Sequence, residues 1–198
     1  MERRLAAVLI SDVVGYTKMM EEDTEGTVAA WSDARDKVID PTVSASDGRI
    51  VKFTGDGFLA EYSNVQAALE CAIDIQNQLS DNPLEFRMAI NLGDIIDDGR
   101  DIHGEGINIA ARLEGIAEPG GICISGDVYN QVRNRVNAEY EDLGPQEVKS
   151  VAEPVQAYAV RFENIGKASE QVSSPVTTEK PSIAVLPFDN MSGDPEQE

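Results

Sequence analysis

Apolar positions in the first third of the chain predict a buried strand, a helical stretch and a hairpin. Residues Leu5–Ile10 form a continuous apolar run, which is typical of a strand covered on both faces of a sheet. The next segment has apolar positions at helical spacing, and Pro41 is expected to bend or end that helix. Two short strands, Arg49–Thr54 and Phe58–Tyr62, are predicted around a Gly-Asp-Gly turn, which is a β-hairpin signal.

The rest of the chain alternates further helices and strands. Residues 64–79 have the apolar spacing of an amphipathic helix. The later predicted elements are the strand Phe86–Leu92, the helix Glu105–Ala117, the strand Ile122–Ser125, the helix Asp127–Val136, and strands around Tyr140–Leu143 and Val155–Phe162. The order β-α-β-β-α-β with additional β/α elements predicts an α+β fold with a ferredoxin-like βαββαβ core and helices on one face of the sheet.

Composition divides the chain into three parts. Residues 1–163 contain all of these elements and are predicted to form one folded domain. Residues 164–180 are rich in Ser, Thr, Glu, Gln and Gly, which predicts a linker. A new strand pattern begins at Pro181, so residues 181–198 are predicted to be the start of a second domain.

The balance of charges restricts the possible partners. The 198 residues carry a formal net charge of −20, with 41% hydrophobic and 26% charged residues. Such acidity argues against binding DNA or RNA, which requires a basic face, and against contact with an anionic membrane surface. It leaves open a small anionic substrate, because a few well-placed Lys and Arg side chains can form a local positive pocket.

The cysteines and the N-terminal apolar run favour a cytoplasmic location. Cys71 and Cys123 have no CxxC spacing, and the single histidine, His103, cannot complete a zinc site of the usual kind. Both cysteines are therefore interpreted as buried thiols in a reducing compartment, and His103 as a surface or loop residue. The run Leu5–Ile10 is too short for a signal peptide or a membrane-spanning helix.

Several polar residues are candidates for chemistry, and each also has an ordinary structural explanation. Asp12 follows the first predicted strand, where a carboxylate can face a ligand or cap the next helix. Asp56 lies in the hairpin turn, which is a common place for Asp. Lys52, on the preceding strand, fits a solvated edge position. Asn108 and Arg112 share a helix face, either in a site or in a polar stripe.

The order of three motifs is more informative than any one residue. The motifs are Val8–Thr17 (VLISDVVGYT), Val51–Gly57 (VKFTGDG) and Asp101–Arg112 (DIHGEGINIAAR). Together they resemble the catalytic domain of class III adenylyl and guanylyl cyclases, over about residues 4–163. The resemblance implies the class III cyclase fold and the conversion of ATP to 3′,5′-cyclic AMP and pyrophosphate.

The resemblance also implies a role for each matched residue. Asp12 and Asp56 match the two aspartates that bind two divalent cations, Mg²⁺ or Mn²⁺. The other implied roles are adenine recognition by Lys52 and Asp101, ribose orientation by Asn108, transition-state stabilisation by Arg112, and triphosphate contact by Arg87 and Lys149. In the family, one subunit supplies the metal aspartates and the other supplies the adenine, ribose and transition-state residues. A head-to-tail homodimer would then carry two sites.

The implied adenine pair favours ATP over GTP. Asp101 can accept a hydrogen bond from the exocyclic amino group of adenine, and Lys52 can donate to a ring nitrogen. Guanine presents the opposite pattern of donor and acceptor, and the guanylyl branch of the family typically has Glu and Cys at these positions.

Outside these positions the resemblance has two departures and one extension. Glu105 stands where the family often has Asp or Asn, and Ser150 stands where Gly is usual. Neither departure removes a matched residue, so activity is expected. Residues Lys180–Asp194 are similar to the opening of a TolB-like segment that follows some bacterial cyclases, which implies a bacterial signalling protein of greater length.

Other functions are compatible with parts of the same pattern. A catalytically silent nucleotide-binding or dimerisation module would keep the fold and yield no product. A guanylate-type cyclase would convert GTP instead. A diguanylate cyclase has a related core, but the sequence contains no Gly-Gly-Asp/Glu-Glu-Phe hairpin, so this function ranks last.

Overall fold

Eight strands and six helices build the part of the chain that the computed structural model describes, residues 1–148 and 153–162. The strands are β1 Glu2–Val13, β2 Arg49–Thr54, β3 Gly57–Tyr62, β4 Phe86–Asp97, β5 Ile102–His103, β6 Ile122–Ser125, β7 Glu139–Gln146 and β8 Val155–Arg161. The helices are α1 Tyr16–Glu22, α2 Thr24–Ala34, α3 Asp40–Ala45, α4 Val65–Gln78, α5 Glu105–Glu114 and α6 Gly126–Val132.

All of the strands belong to one sheet, in the order β2-β3-β1-β4-β6-β8-β7, with β5 paired to β4. β4 and β6 are parallel, and the other neighbouring strands are antiparallel. The segment β2-β3-β1-β4, connected through α2–α3 and α4, has the ferredoxin-like strand order. The predicted α+β fold with a βαββαβ core is therefore confirmed.

The sheet is covered by helices on both faces. Ala7 and Leu9 of β1 point into the larger core, where they are buried with Leu69 of α4. Val8 points to the other face because successive side chains alternate across a strand, and it is buried there with Ala110 of α5. The expectation of helices on one face is correct for α4 and wrong for α5. The crossover between the parallel strands β4 and β6 has to pass over the sheet, and α5 forms that crossover.

The helical segment continues through the proline that was expected to bend or end it. A π-helical turn, Arg35–Ile39, joins α2 to α3, and the N–H of Asp40 bonds to the carbonyl of Arg35 five residues earlier. Pro41 lies in the first turn of α3, where its missing N–H disrupts the regular bonding pattern. The wider π turn takes up this irregularity, so the chain remains helical up to Ala45.

The two central strands extend beyond their apolar runs. β1 and β4 pair without interruption from Glu2 opposite Asp97 to Val13 opposite Phe86. The ends of this ladder carry polar residues, so hydrophobic periodicity alone predicts shorter strands than the structure has. Two helices are shorter than predicted, since α5 ends at Glu114 and α6 ends before Arg133.

Two free cysteines are enclosed in the folded domain. Cys71 and Cys123 are both buried free thiols, as predicted. Among residues 1–148 and 153–162, no helix combines the length and apolar character needed to cross a membrane. The predicted linker 164–180 and the predicted second-domain segment 181–198 lie outside the described residues.

Candidate active site

Asp12 and Asp56 come together where the end of β1 meets the β2–β3 turn. Asp12 is opposite Gly57 in the β1–β3 register, and the N–H of Val13 donates to the Asp56 carbonyl at 3.0 Å. Gly57 is needed for this approach, because a Cβ there would lie 1.9 Å from the carbonyl oxygen of Ser11. Glycine thus lets the turn close onto β1 and brings Asp56 near enough to Asp12 for its charge to raise the pKa of Asp12.

Negative charge accumulates at this carboxylate pair. Burial raises the pKa of Asp12, and the charge of Asp56 and a hydrogen bond with it raise that pKa further. Arg87 acts in the opposite direction, because its Nη2 donates to Asp12 Oδ2 at 3.1 Å. A hard cation with a preference for oxygen ligands would relieve the same repulsion.

Arg87 links this pair to a third carboxylate, Glu114. Arg87 lies on β4 opposite Asp12, and its Nη2 is 3.0 Å from Oε1 of Glu114, the last residue of α5. Burial raises the pKa of Glu114 and Arg87 opposes that effect, while the charges of Asp12 and Asp56 raise the pKa further. Sequence reasoning missed Glu114. Its one signal was a carboxylate at a helix C-terminus, where the helix dipole disfavours negative charge.

A second cluster contains Lys52 and Asp101. Lys52 Nζ lies 2.5 Å from Asp101 Oδ2, and this hydrogen bond is the main reason that the pKa of Asp101 is lowered. The loop before Asp101 is held by Asp98, whose carboxylate accepts hydrogen bonds from the backbone N–H groups of Arg100 and Asp101 at 2.9 Å. His103 is exposed and lies 3.3 Å from Asp98 Oδ2, in agreement with the predicted surface or loop position.

Asn108 and Arg112 lie on the exposed side of α5. Both side chains are exposed, and neither has a hydrogen bond or an ion pair within the described ranges of the chain. The helix is fixed from behind by a close contact in which a Cβ at Gly93 would lie 2.9 Å from the Cα of Gly106. Asn91 adds a buried hydrogen bond to the Gly106 carbonyl at 3.0 Å. The small residues of this motif therefore allow close packing on β4.

The helical geometry of α5 points Arg112 and Glu114 in different directions. Residues two apart on an α-helix point about 200° apart, so Arg112 and Glu114 face nearly opposite directions. Glu114 faces Arg87 and the aspartate pair, whereas Arg112 faces solvent. The structure thus brings together Asp12, Asp56 and Arg87. It separately pairs Lys52 with Asp101. Asn108 and Arg112 point outward. Lys149 lies outside the described residues.

The aspartate pair has the donor chemistry of a site for hard divalent cations. Its ligands are carboxylate oxygens, and the side chain of Asp12 is 32% exposed, so a ligand can reach it. In the part of the chain described, no cluster of three or more His, Cys, Asp or Glu side chains could hold a metal ion alone. Two carboxylates leave coordination positions for water and substrate phosphates, which is the arrangement that Mg²⁺ favours.

Comparison with known proteins gives the same family at the levels of sequence and structure. Residues 3–162 match the profile of the adenylate and guanylate cyclase catalytic domain. The chain is 39% identical over 210 residues to a putative adenylate cyclase 3 of Rhizobium meliloti, with 98% of this chain and 35% of that protein covered. It is 31% identical over 130 residues to an adenylate cyclase of Glutamicibacter nicotianae, with 65% and 32% covered. The chain therefore spans about a third of the length of these relatives.

Solved structures show the same fold. A crystal structure of an adenylate/guanylate cyclase/hydrolase from Silicibacter pomeroyi superimposes with a TM-score of 0.77 at 39% identity, covering 82% of this chain and 99% of that one. The adenylyl cyclase CyaB from P. aeruginosa superimposes with a TM-score of 0.72 at 26% identity, covering 82% and 97%.

The fold and the family match define a nucleotide cyclase domain of class III. The chain belongs to the family of adenylate and guanylate cyclase catalytic domains.

Proposed function

We propose that this chain is the catalytic domain of an adenylate cyclase that acts as a head-to-tail homodimer. The ribose 3′-oxygen of ATP attacks the α-phosphorus, the bond from that phosphorus to the bridging oxygen breaks, and pyrophosphate leaves. The products are 3′,5′-cyclic AMP and pyrophosphate, and the proton of the 3′-hydroxyl is released.

The observation that carries the proposal is that Asp56 and Asp12 come together where the β2–β3 turn closes onto the end of β1: Asp12 pairs with Gly57, and the N–H of Val13 donates to the Asp56 carbonyl at 3.0 Å. Two neighbouring carboxylates at a partly exposed strand end, with the charge of Asp56 disfavouring ionisation of Asp12, suit two divalent cations, Mg²⁺ or Mn²⁺. When bound, the cations supply activation of the 3′-hydroxyl and neutralisation of phosphate charge. A wide separation of these two side chains would have removed this basis.

The Lys52–Asp101 pair supports ATP as the substrate. With Asp101 held as a carboxylate by Lys52, its free acceptor positions suit the amino group of adenine. Lys52 has further donors that suit a ring nitrogen. The matched family includes both adenylate and guanylate cyclases, so the family does not select the base and the proposal of ATP rests on this pair.

The orientation of α5 supports a site shared between two subunits. Arg112 faces nearly away from the direction in which Glu114 reaches Arg87 and the aspartate pair. A second copy would have to present its own Asn108 and Arg112 to Asp12 and Asp56. Without a partner in the described chain, both side chains are free to bind a ligand at such an interface.

The remaining residues would orient the substrate and stabilise charge. Asn108 would hold the ribose so that the 3′-oxygen is in line with the leaving group. Arg112 would spread several N–H donors over the oxygens of the α-phosphorus in the transition state. Arg87, already beside Asp12, would contact the triphosphate, and Lys149 is proposed for the same role from the sequence resemblance.

Product analysis tests the proposal directly. The chain is incubated with ATP or with GTP, each in Mg²⁺ and in Mn²⁺, and cyclic nucleotide and pyrophosphate are quantified by chromatography. We expect metal-dependent cyclic AMP and equimolar pyrophosphate, with far less cyclic GMP. Nucleotide binding without product in either metal would contradict the proposal and favour a silent module. Product from GTP alone would contradict the assignment of the base.

A further inference from the structure

Arg87 is shared between two carboxylates that belong to different elements. Its Nη2 is 3.1 Å from Asp12 Oδ2 at the end of β1 and 3.0 Å from Glu114 Oε1 at the end of α5. Among the described residues, the buried Nε of Arg87 has no hydrogen-bond acceptor and Glu114 Oε1 has no donor, so the 3.0 Å contact between Arg87 and Glu114 is an ion pair without hydrogen-bond geometry. The guanidinium therefore has donor capacity that its present partners do not use, and it can change partners without leaving the site.

Glu114 is held in place by the packing of α5. The preceding residue, Leu113, is fully buried, and the side chain of Glu114 itself is only 15% exposed. A carboxylate at a helix C-terminus is opposed by the helix dipole, and a buried carboxylate is costly unless it is paired. The ion pair with Arg87 offsets part of this cost through charge attraction, so the two side chains stabilise each other.

A cation bound at Asp12 would repel the guanidinium that now neutralises this carboxylate. Without another anionic partner nearby, Arg87 would compete with the cation for Asp12. Glu114 provides that partner on the far side of the guanidinium. Resting on the proposed function, we propose that Glu114 is a positioning residue: it holds Arg87 as Arg87 gives up Asp12, and so favours cation binding at Asp12 and Asp56.

The test measures binding of Mn²⁺ alone, without nucleotide, by the electron paramagnetic resonance signal of free Mn²⁺. The variants are Glu114→Gln, Glu114→Asp and a control, Glu118→Gln. Glu118 forms a 2.6 Å ion pair with Arg161, and its side chain is 65% exposed. The control therefore removes the same charge and also breaks a Glu–Arg ion pair, but at the surface and without Arg87. We expect Mn²⁺ affinity to fall about tenfold in Glu114→Gln, as for other groups behind a metal ligand. Glu114→Asp should recover part of the loss, and Glu118→Gln should match the parent chain.

A double-mutant cycle separates positioning from a direct effect of charge. In an Arg87→Gln background, Glu114→Gln should change Mn²⁺ affinity by less than about twofold, because the residue it acts through is gone. A loss of equal size with and without Arg87 would show that the Glu114 charge acts on the cation directly and would overturn the proposal. Parent-like affinity of a folded Glu114→Gln would also overturn it, with thermal unfolding of every variant as the folding check.

One further variant distinguishes this inference from the proposed function. Asp56→Asn should abolish most Mn²⁺ binding if the aspartate pair is the cation site. If Asp56→Asn and the parent chain both fail to bind Mn²⁺, the cation site and the role of Glu114 fail together. If Asp56→Asn loses binding and Glu114→Gln does not, only the role of Glu114 fails and the cyclase proposal stands.

Discussion

Lys52 and Asp101 form a 2.5 Å ion pair across 49 residues of sequence, between β2 and the loop that precedes β5. The chain has a net charge of −20, and the pair places the Lys52 ammonium group beside the Asp101 carboxylate, whose pKa it lowers. The pair presents one donor group and one acceptor group at adjacent positions. A planar base with a complementary donor and acceptor can bind to both.

Exchanging this pair should change the choice of base. In the double variant Lys52→Glu with Asp101→Cys, the carboxylate at position 52 accepts from guanine N–H groups and the acceptor for the adenine amino group is lost. We expect the ratio of kcat/KM for ATP over GTP to fall by at least about 10², since unpaired polar groups in a site discriminate strongly. Steady-state kinetics with both nucleotides measures the ratio. An unchanged ratio in a folded, active variant would show that the base is selected elsewhere.

Two inactive variants should restore activity when they are mixed. Asp56→Ala removes a proposed cation ligand, and Arg112→Ala removes a proposed transition-state group at a cost of about 10²–10³ in kcat. If the site is shared between two copies, a mixed dimer has one intact site made from the unaltered half of each chain. At equal concentrations, half of the dimers are mixed under random association, so about a quarter of the parental activity should return.

The control for this experiment is a mixture of two variants altered in the same half-site. Asp12→Ala mixed with Asp56→Ala leaves no intact aspartate pair in any dimer, so it should stay inactive. Mixed dimers are confirmed with two different affinity tags. Confirmed mixed dimers of Asp56→Ala and Arg112→Ala without activity would contradict the shared site.

Stability should depend on the glycine that lets the hairpin close. Gly57→Ala places a Cβ 1.9 Å from the Ser11 carbonyl, so the backbone has to shift. Overpacking of this kind costs about 1–3 kcal/mol of unfolding free energy, measured by urea denaturation. Gly115→Ala is the matched control, because the φ of Gly115 is −63° and its nearest neighbour to a new Cβ is 3.6 Å away. That change should be neutral or stabilising by up to about 1 kcal/mol. Equal stability of the two variants would contradict the role assigned to Gly57.

The part of this site that the sequence could predict consists of residues carried in spaced motifs. Motif order picks out Asp12, Asp56, Lys52 and Asp101. The structure brings Asp56 to Asp12 and Lys52 to Asp101, while their metal and adenine roles stay predictions. The βαββαβ core was likewise predictable, because hydrophobic periodicity marks each strand and helix.

The parts that the sequence could not predict depend on tertiary contact. Glu114 belongs to no recognised motif, and its importance appears only once α5 crosses the sheet and reaches Arg87. The crossover itself placed α5 on the face that local periodicity had left uncovered. The full length of β1 and β4 arises from mutual backbone pairing, which polar ends such as Glu2 and Asp97 do not reveal in sequence.

The buried thiols should make the fold sensitive to alkali but not to thiol reagents near neutral pH. Burial raises the pKa of Cys123 from 9.0 to about 12, with a weaker opposing hydrogen bond from the backbone of Tyr158. Burial also raises the pKa of Cys71. At pH 8 both groups are neutral and enclosed, and the thiolate is the reactive form. We therefore expect no reaction of the folded chain with Ellman's reagent at pH 8, and two thiols per chain after unfolding in urea.

The sign of the pH effect follows from the same shift. An acid whose pKa is higher in the folded state contributes stability that is fully present below the unfolded pKa, near 9, and is lost as the pH rises toward 12. Between pH 8 and pH 10.5, Cys123 should cost about 2 kcal/mol of unfolding free energy. Urea denaturation at both pH values measures this loss, and Cys123→Ala is the reference because it cannot ionise. An equal loss in the reference would assign the alkaline sensitivity to other groups, and rapid reaction at pH 8 would show that the thiols are not enclosed.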